Sequence, residues 1–217
     1  MPNCDAGLVS VLMSVYNGAP TLEKAAASVL AQTYRNLELI LCDDASTDDT
    51  WRIMQRIAAQ DARVTIFQNK TNLGLGASLN ECLARAQGAY IARQDADDVS
   101  DSDRIERTMD FLLSSGAPYA ACGVRVFDDT GVWSTRQFPQ KITKHIIAQK
   151  NPFFHPTMLF RRAVLESVNG YSTSPETRRT EDYDLVMRDR GEFAGSALLG
   201  VRTAGSLSPS QCQDPHV

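Results

Sequence analysis

Residues 8 to 18 read LVSVLMSVYNG. The run LVSVLMSVY is apolar except for Ser10 and Ser14, carries no charge and is rich in valine, which predicts a strand buried on both faces of a parallel sheet. Asn17-Gly18 then signals a turn. Pro20 suits the first turn of a helix, and Leu22, Ala26, Val29 and Leu30 fall on one face of it at helical spacing.

The same unit recurs. LELILCDD (37 to 44) is a second apolar strand, this time running into two aspartates. Ser46 and Asp49 form an S-x-x-D helix start close to a capping box, and Met54, Ile57 and Ala58 give the next helix its apolar stripe. VTIF (64 to 67) is a third, short strand. After NLGLG comes a helix with Leu75, Leu79, Cys82, Leu83 and Ala86 as its buried stripe and Gly88 as its expected stop. A fourth strand opens the stretch YIARQDADDVS (90 to 100). This β-α-β-α-β-α-β order predicts an α/β fold: one doubly wound, mostly parallel sheet with helices on both faces.

The second half is less regular. Ile105, Met109, Leu112 and Leu113 mark a helix ending at Gly116, YAACGVRVF reads as a strand, and DDTG followed by VWSTRQF as a hairpin. KITKHIIAQKNPFFHPTMLFRR predicts a short helix, a loop through NPFFHP and a brief strand at TMLF. RRTEDYDLVMR is an acidic helix start, where carboxylates are favoured in ionised form.

Doubly wound sheets bind ligands at the carboxyl ends of their strands. Asp43 and Asp44 stand at one such end; Asp95, Asp97 and Asp98 stand at another. A solvated turn is the plain reading of those acids. Carboxylates converging from separate strands repel one another, however, unless a cation or hydrogen-bond donors offset them, so a divalent-metal site that holds a phosphate is the sharper reading.

Composition bounds the function classes. The chain has 217 residues, 43% hydrophobic and 22% charged, with a net charge of -4. That suits one globular domain, and the absence of a dense Lys/Arg run argues against nucleic acid as a partner. The five cysteines (Cys4, Cys42, Cys82, Cys122, Cys212) lack C-x-x-C spacing, which fits neither a disulfide framework nor a zinc site and points to a reducing compartment. MPNCDAG lacks the basic start of a signal peptide, and no apolar run approaches a membrane span.

Taken in order and at these intervals, VSVLMSVYNG, LELILCDDASTDDT, NLGLGASLN, GAYIARQDADD, FHPTMLFRR and GYS…TEDYDL resemble the inverting family 2 glycosyltransferases of the GT-A fold. The resemblance runs from about Val9 to about Arg188. It implies a metal-dependent transfer of a sugar from a nucleoside-diphosphate donor, with UDP the expected nucleotide, to an acceptor hydroxyl. The acceptor it implies is a growing surface polysaccharide or lipid-linked glycan, and the expected location is cytoplasmic, at the inner face of the membrane.

Residue by residue, the resemblance places Ser14, Tyr16 and Asp44 at the nucleotide. An aspartate accepting from a base N–H and a tyrosine ring stacking on a base agree with that chemistry. NLGLG would approach the nucleotide with its backbone. Asp95 is expected by the ribose and Asp97 on a divalent metal, Mn2+ or Mg2+, whose preference for hard oxygen ligands and substrate phosphates explains so short a motif. Asp182 of TEDYD is expected to be the base that deprotonates the acceptor, and His155 of FFHPT to line the cleft on the diphosphate or acceptor side.

The end of the chain departs from the family. DRGEFAGSALLGVRTAGSLSPSQCQDPHV is rich in Gly, Ser and Pro, so the sequence predicts a transferase domain over 1–190 and an atypical, disordered or truncated tail over 191–217. Two rival functions follow from the same residues. DADDV also fits the motif of aspartate-nucleophile phosphatases, which normally follows the first strand of its domain rather than the fourth. An altered tail would also suit a pseudo-transferase that binds nucleotide without consuming its sugar conjugate.

Overall fold

A computed structural model describes residues 7–128, 131–136, 153–189 and 198–205. Its strands are β1 (Val9–Val15), β2 (Leu37–Asp43), β3 (Val64–Gln68), β4 (Tyr90–Arg93), β5 (Asp98–Ser100), β6 (Tyr119–Asp128), β7 (Gly131–Arg136), β8 (Leu159–Arg161) and β9 (Leu198–Gly205). The helices are α1 (Leu22–Leu30), α2 (Thr50–Gln60), α3 (Leu75–Arg85), α4 (Arg104–Ser115), α5 (Arg162–Ser167) and α6 (Glu181–Arg188). The strand order is β3-β2-β1-β4-β8-β6-β9-β5, with β7 paired to β6. β3, β2, β1 and β4 are mutually parallel; β8 enters antiparallel between β4 and β6.

The nearly unbroken apolar runs of β1 and β2, interrupted by Ser10, Ser14 and Glu38, follow from burial on both faces. Val9, Val11, Met13 and Val15 point into one layer with Leu37, Leu39 and Leu41, against the stripes of α1, α2 and α4. Leu12, Ile40 and Cys42 point into the other, against Leu79 and Cys82 of α3, Leu165 of α5 and Leu185 and Val186 of α6. Each fully buried Leu or Ile contributes about 1.5–3 kcal/mol relative to exposure. Two covered faces therefore stabilise a sheet that has almost no polar face to offer water.

Several local expectations are revised. α2 starts at Thr50 after Asp49 with no side-chain cap. Ser46 Oγ instead accepts from the Asn17 N–H at 2.8 Å, and Asp48 accepts from the Thr50 N–H at 3.0 Å. α3 ends before Gly88, whose role is close approach: a Cβ there would meet Leu8 O at 2.5 Å and Ser10 Oγ at 2.7 Å. Gly88→Ala is expected to cost about 1–3 kcal/mol by overpacking, read as a lower urea midpoint with an unchanged slope.

Within the segment expected to be disordered, Leu198–Gly205 forms a strand between β6 and β5. A hydrogen-bonding edge on β6 takes up backbone groups that a Gly/Ser-rich composition alone does not reveal. The rest of 191–217 lies outside the described residues, as does the helix expected in 141–150.

Candidate functional site

The strand order turns at β1 and β4: the chain runs outward through β2 and β3 and returns through α3 to β4 on the other side of β1. Such a reversal opens a crevice at the carboxyl ends of the strands. The ends of β1, β2 and β4 are therefore where a ligand fits.

The β1 and β2 ends are knit together. The Asp44 N–H donates to Val15 O at 2.7 Å, the Thr47 N–H to Asn17 Oδ1 at 2.8 Å, and the Gly18 N–H to Thr50 Oγ1 at 2.9 Å. Asn17 and Ala45 both take left-handed backbone conformations, with φ of 53° and 62°. Strain of this kind persists where surrounding bonds over-determine it. Ser14 lies half-buried in register with Cys42, and Tyr16 stands out at 54% exposure, with its ring face available for stacking.

Asp44 behaves differently from a free base-reading group. It is 3% exposed, and its carboxylate accepts from the Leu73 N–H at 2.8 Å, the Gly74 N–H at 2.9 Å and Asn69 Nδ2 at 2.8 Å. It holds the NLGLG backbone against the end of β2. Neighbouring Asp43 is equally spent, accepting from the Ser46 N–H at 2.9 Å and Gln68 Nε2 at 2.7 Å.

The acidic turn after β4 carries its own cations. Arg93 and Arg104 are each 1% exposed. Arg93 pairs with Asp95, and Arg104 Nη2 donates to Gln94 Oε1 at 3.3 Å. Gln94 Nε2 donates to Asp95 O at 3.2 Å and Asp98 O at 3.0 Å, and Gln94 Oε1 accepts from Ser100 Oγ at 2.6 Å. Among the described residues the Nε of both arginines lacks an acceptor. Each such orphan costs about 1–3 kcal/mol, so stability alone does not account for the pair.

Asp97 sits exposed at the tip of this turn. The protein around it and, next, the Asp95 charge hold its carboxyl above the usual range. Burial, then Asp95 and Asp97, push the Asp98 carboxyl up to about 8. Crowded carboxylates with raised affinity for protons are the groups a divalent cation relieves. No cluster of three or more His, Cys, Asp or Glu among the described residues is arranged to hold a metal alone. One or two carboxylates suffice for Mg2+ or Mn2+ when phosphates complete the shell, so the donor set fits a metal that arrives with a nucleotide.

Further candidate groups come from the second half of the chain. His155 is buried in a 3-10 turn, with Nε2 3.1 Å from the Tyr171 hydroxyl. Burial, then the Arg93 charge, keeps its imidazole well below the ordinary histidine range, hence neutral. Burial raises the Tyr171 phenol; Arg93 offsets part of this, and the charges of Asp182 and Asp95 add to it. Tyr171 thus feels the β4 turn and the start of α6 together. Asp182 is half-buried in the first turn of α6, where the helix dipole favours a carboxylate.

Two contacts join α3 to the segment leading into α6. The Asn80 side chain of α3 donates to Tyr171 O and accepts from the Tyr171 N–H, both at 2.8 Å. A Cβ at Gly76 would meet Ser172 O at 2.7 Å and Glu181 Cγ at 3.4 Å, so only glycine lets α3 seat this closely. The loop held by Asp44 therefore lies beside the helix that bears Asp182.

Because His155 is neutral when folded, its folded pKa lies below the free value of about 6.5. As pH falls through that value the unfolded chain takes a proton that the folded chain refuses. The contribution is whole above about 6.5 and is lost toward lower pH. His155→Gln is expected to flatten the acid limb of Tm against pH relative to the unmodified protein between about 6.5 and 5. Parallel curves would show that His155 is not the group titrating.

The sequence singles out Ser14, Tyr16, Asp44, Asp95, Asp97, His155 and Asp182. The structure puts the first five at the ends of β1, β2 and β4; His155 lies in the turn that packs beside β4, and Asp182 at the start of α6. Arg93, Gln94, Arg104, Tyr171 and Asn80 are missed by sequence reasoning. Polar Arg93-Gln94 at the end of an otherwise apolar strand is the one signal that marks them.

A parallel half-sheet with its ligand crevice at β1 and β4, an acidic turn there and a separate helix carrying an acid define the GT-A class of nucleotide-sugar transferases. Residues 10–168 match Glycosyl transferase family 2, and the chain belongs to that family. It is 45% identical over 201 residues to the putative glycosyltransferase EpsE of Bacillus subtilis, covering 89% of this chain and 72% of that relative. An Escherichia coli relative, the UDP-Glc:alpha-D-GlcNAc-diphosphoundecaprenol beta-1,3-glucosyltransferase WfaP, is 35% identical, with 59% of this chain and 51% of the relative covered.

Among solved structures, S. aureus TarS 1-349 in complex with UDP superposes with a TM-score of 0.74 at 20% identity, covering 94% of this chain and 62% of TarS. The mannosyltransferase PcManGT of Pyrobaculum calidifontis, in complex with GDP-Man and Mn2+, gives 0.73 at 19%, covering 97% of this chain and 59% of its own. These likenesses establish the fold. The chain spans about three fifths of the length of both structures.

Proposed function

We propose that this glycosyltransferase moves a sugar from a UDP-sugar to an acceptor hydroxyl with inversion at the anomeric carbon, using Mn2+ or Mg2+. The observation that carries the reading is that acids from two separate parts of the chain, Asp95 after β4 and Asp182 at the start of α6, both act on the buried Tyr171, whose hydroxyl meets His155. Tyr16 stacks on the base, and Asp44 contributes by fixing the Leu73–Gly74 backbone beside it. Ser14 lies under the same nucleotide end. Asp95 accepts from the ribose and Asp97 takes the metal. The metal offsets charge on the departing diphosphate.

Asp182 removes the acceptor proton from the side opposite the leaving group, and neutral His155 lines the diphosphate side through its bond to Tyr171. WfaP acts on a diphosphoundecaprenol-linked sugar, as its name states, which supports a lipid-linked or polysaccharide acceptor. Work at the inner face of the membrane follows from such an acceptor. No helix among the described residues is long and apolar enough to cross a membrane.

Calorimetric titration with UDP, GDP and dTDP, each with Mn2+ and with chelator, tests the donor. UDP is expected to bind, and only with metal. Binding of GDP alone would move the proposal to GDP-sugars, and metal-independent binding would remove the role given to Asp97.

A further inference from the structure

We infer that Arg93 is a positioning residue for the nucleotide and metal, acting through Asp95 and the Gln94–Asp98 turn with Arg104 as its buried support. The inference rests on the donor-site reading above.

Three acids within four residues repel one another, and a turn holding them needs positive charge nearby to keep one shape before a metal arrives. Two guanidinium groups supply it from below. Arg93 spreads its donors over Leu12 O at 3.5 Å, Gln94 O and Asp95 Oδ1, tying β1, the turn backbone and the acid to one planar group. Arg104, one layer further in, donates to Arg93 O and Pro156 O, both at 3.3 Å, and to Gln94 Oε1. Gln94 relays that hold to the carbonyls of Asp95 and Asp98.

The result is directional. Asp95 keeps Oδ1 on Arg93 while Oδ2 has no partner among the described residues, and its side chain is 34% exposed. One oxygen is anchored, and the other is left to accept from an incoming ribose hydroxyl or metal-bound water. A lysine would keep the charge but has no planar fork to serve acceptors in three directions.

The experiment is a double-mutant cycle on Mn2+-dependent UDP binding, with Arg93→Lys, Asp95→Asn and the pair. Arg93→Lys is expected to weaken binding about 10- to 100-fold, as loss of an orienting partner does at metal sites. It should raise donor KM while leaving acceptor KM unchanged. The double variant is expected to bind less weakly than the product of the two single effects, because both changes break the Arg93–Asp95 link. Multiplying effects, or an Arg93→Lys protein that binds like the parent, overturns the inference.

Should Arg93→Lys fail to fold, Asp95→Asn at the part-exposed surface still decides. Slowly rotating Arg93 Nη resonances in 15N spectra are expected in the parent and lost in Asp95→Asn. Resonances indifferent to Asp95 overturn the inference. A parent protein that binds no Mn2+-UDP overturns the donor reading instead.

Discussion

Asp182→Asn is expected to lower kcat by about 10² to 10⁴, the usual contribution of a positioned base, while UDP binds with unchanged affinity. The substitution keeps volume at the first turn of α6 and gives up the carboxylate's favourable interaction with the helix N-terminus, about 0.3–1 kcal/mol, so the fold is expected to hold. It also removes the ability to take up a proton. Neighbouring acids provide the internal comparison: Asp184 is committed to Arg188 at 2.7 Å, and Glu181 is buried against α3. Asp184→Asn should therefore change stability slightly and turnover little. Equal loss of turnover in both variants would show that acidity of the helix start, rather than one base, is what matters. Stereochemistry gives a second check, since an inverted anomeric carbon is required if Asp182 assists direct attack.

Asp97→Ala is expected to abolish metal-dependent UDP binding, a loss of 10-fold or more on the scale of removing an essential ligand. Exposure at the turn tip means that no packing is lost, so Tm should hold or rise slightly as like-charge repulsion with Asp95 and Asp98 falls. Loss of binding with intact stability separates a ligand from a structural acid. Retained binding would reduce the acidic turn to a solvated one and leave the nucleotide to Tyr16 and the NLGLG backbone.

Much of this architecture is legible from local pattern. The nearly continuous apolar runs at 8–16 and 37–42 announce strands covered on both sides, and the stripes of α1 to α4 follow from helical spacing. What the chain does not show locally is partnership across distance. Nothing in YIAR says that its arginine is more buried than its tyrosine, because an arginine goes inside only when acceptors from other segments meet it, in this case Leu12. Asp43 and Asp44 look alike in sequence, yet each is spent on different partners more than 20 residues away. The insertion of β8 between β4 and β6 escapes prediction for the same reason: TMLF reads as a strand, but not as whose neighbour. The tail composition likewise hides the strand at 198–205, which exists by pairing rather than propensity.

The double hydrogen bond between Asn80 and Tyr171 spans 91 residues of chain. At about 5 to 20 residues per second, a ribosome takes roughly five to twenty seconds to make that intervening stretch. When that interval begins β1 to β3 and the loop clasped by Asp44 are already synthesised, and β4 follows early within it, free to assemble with them. Loop-closure entropy makes so distant a contact one of the last to form. A nascent chain thus has the segments of its nucleotide side before the segment bearing Asp182 exists, and Asn80 waits as an open latch for it.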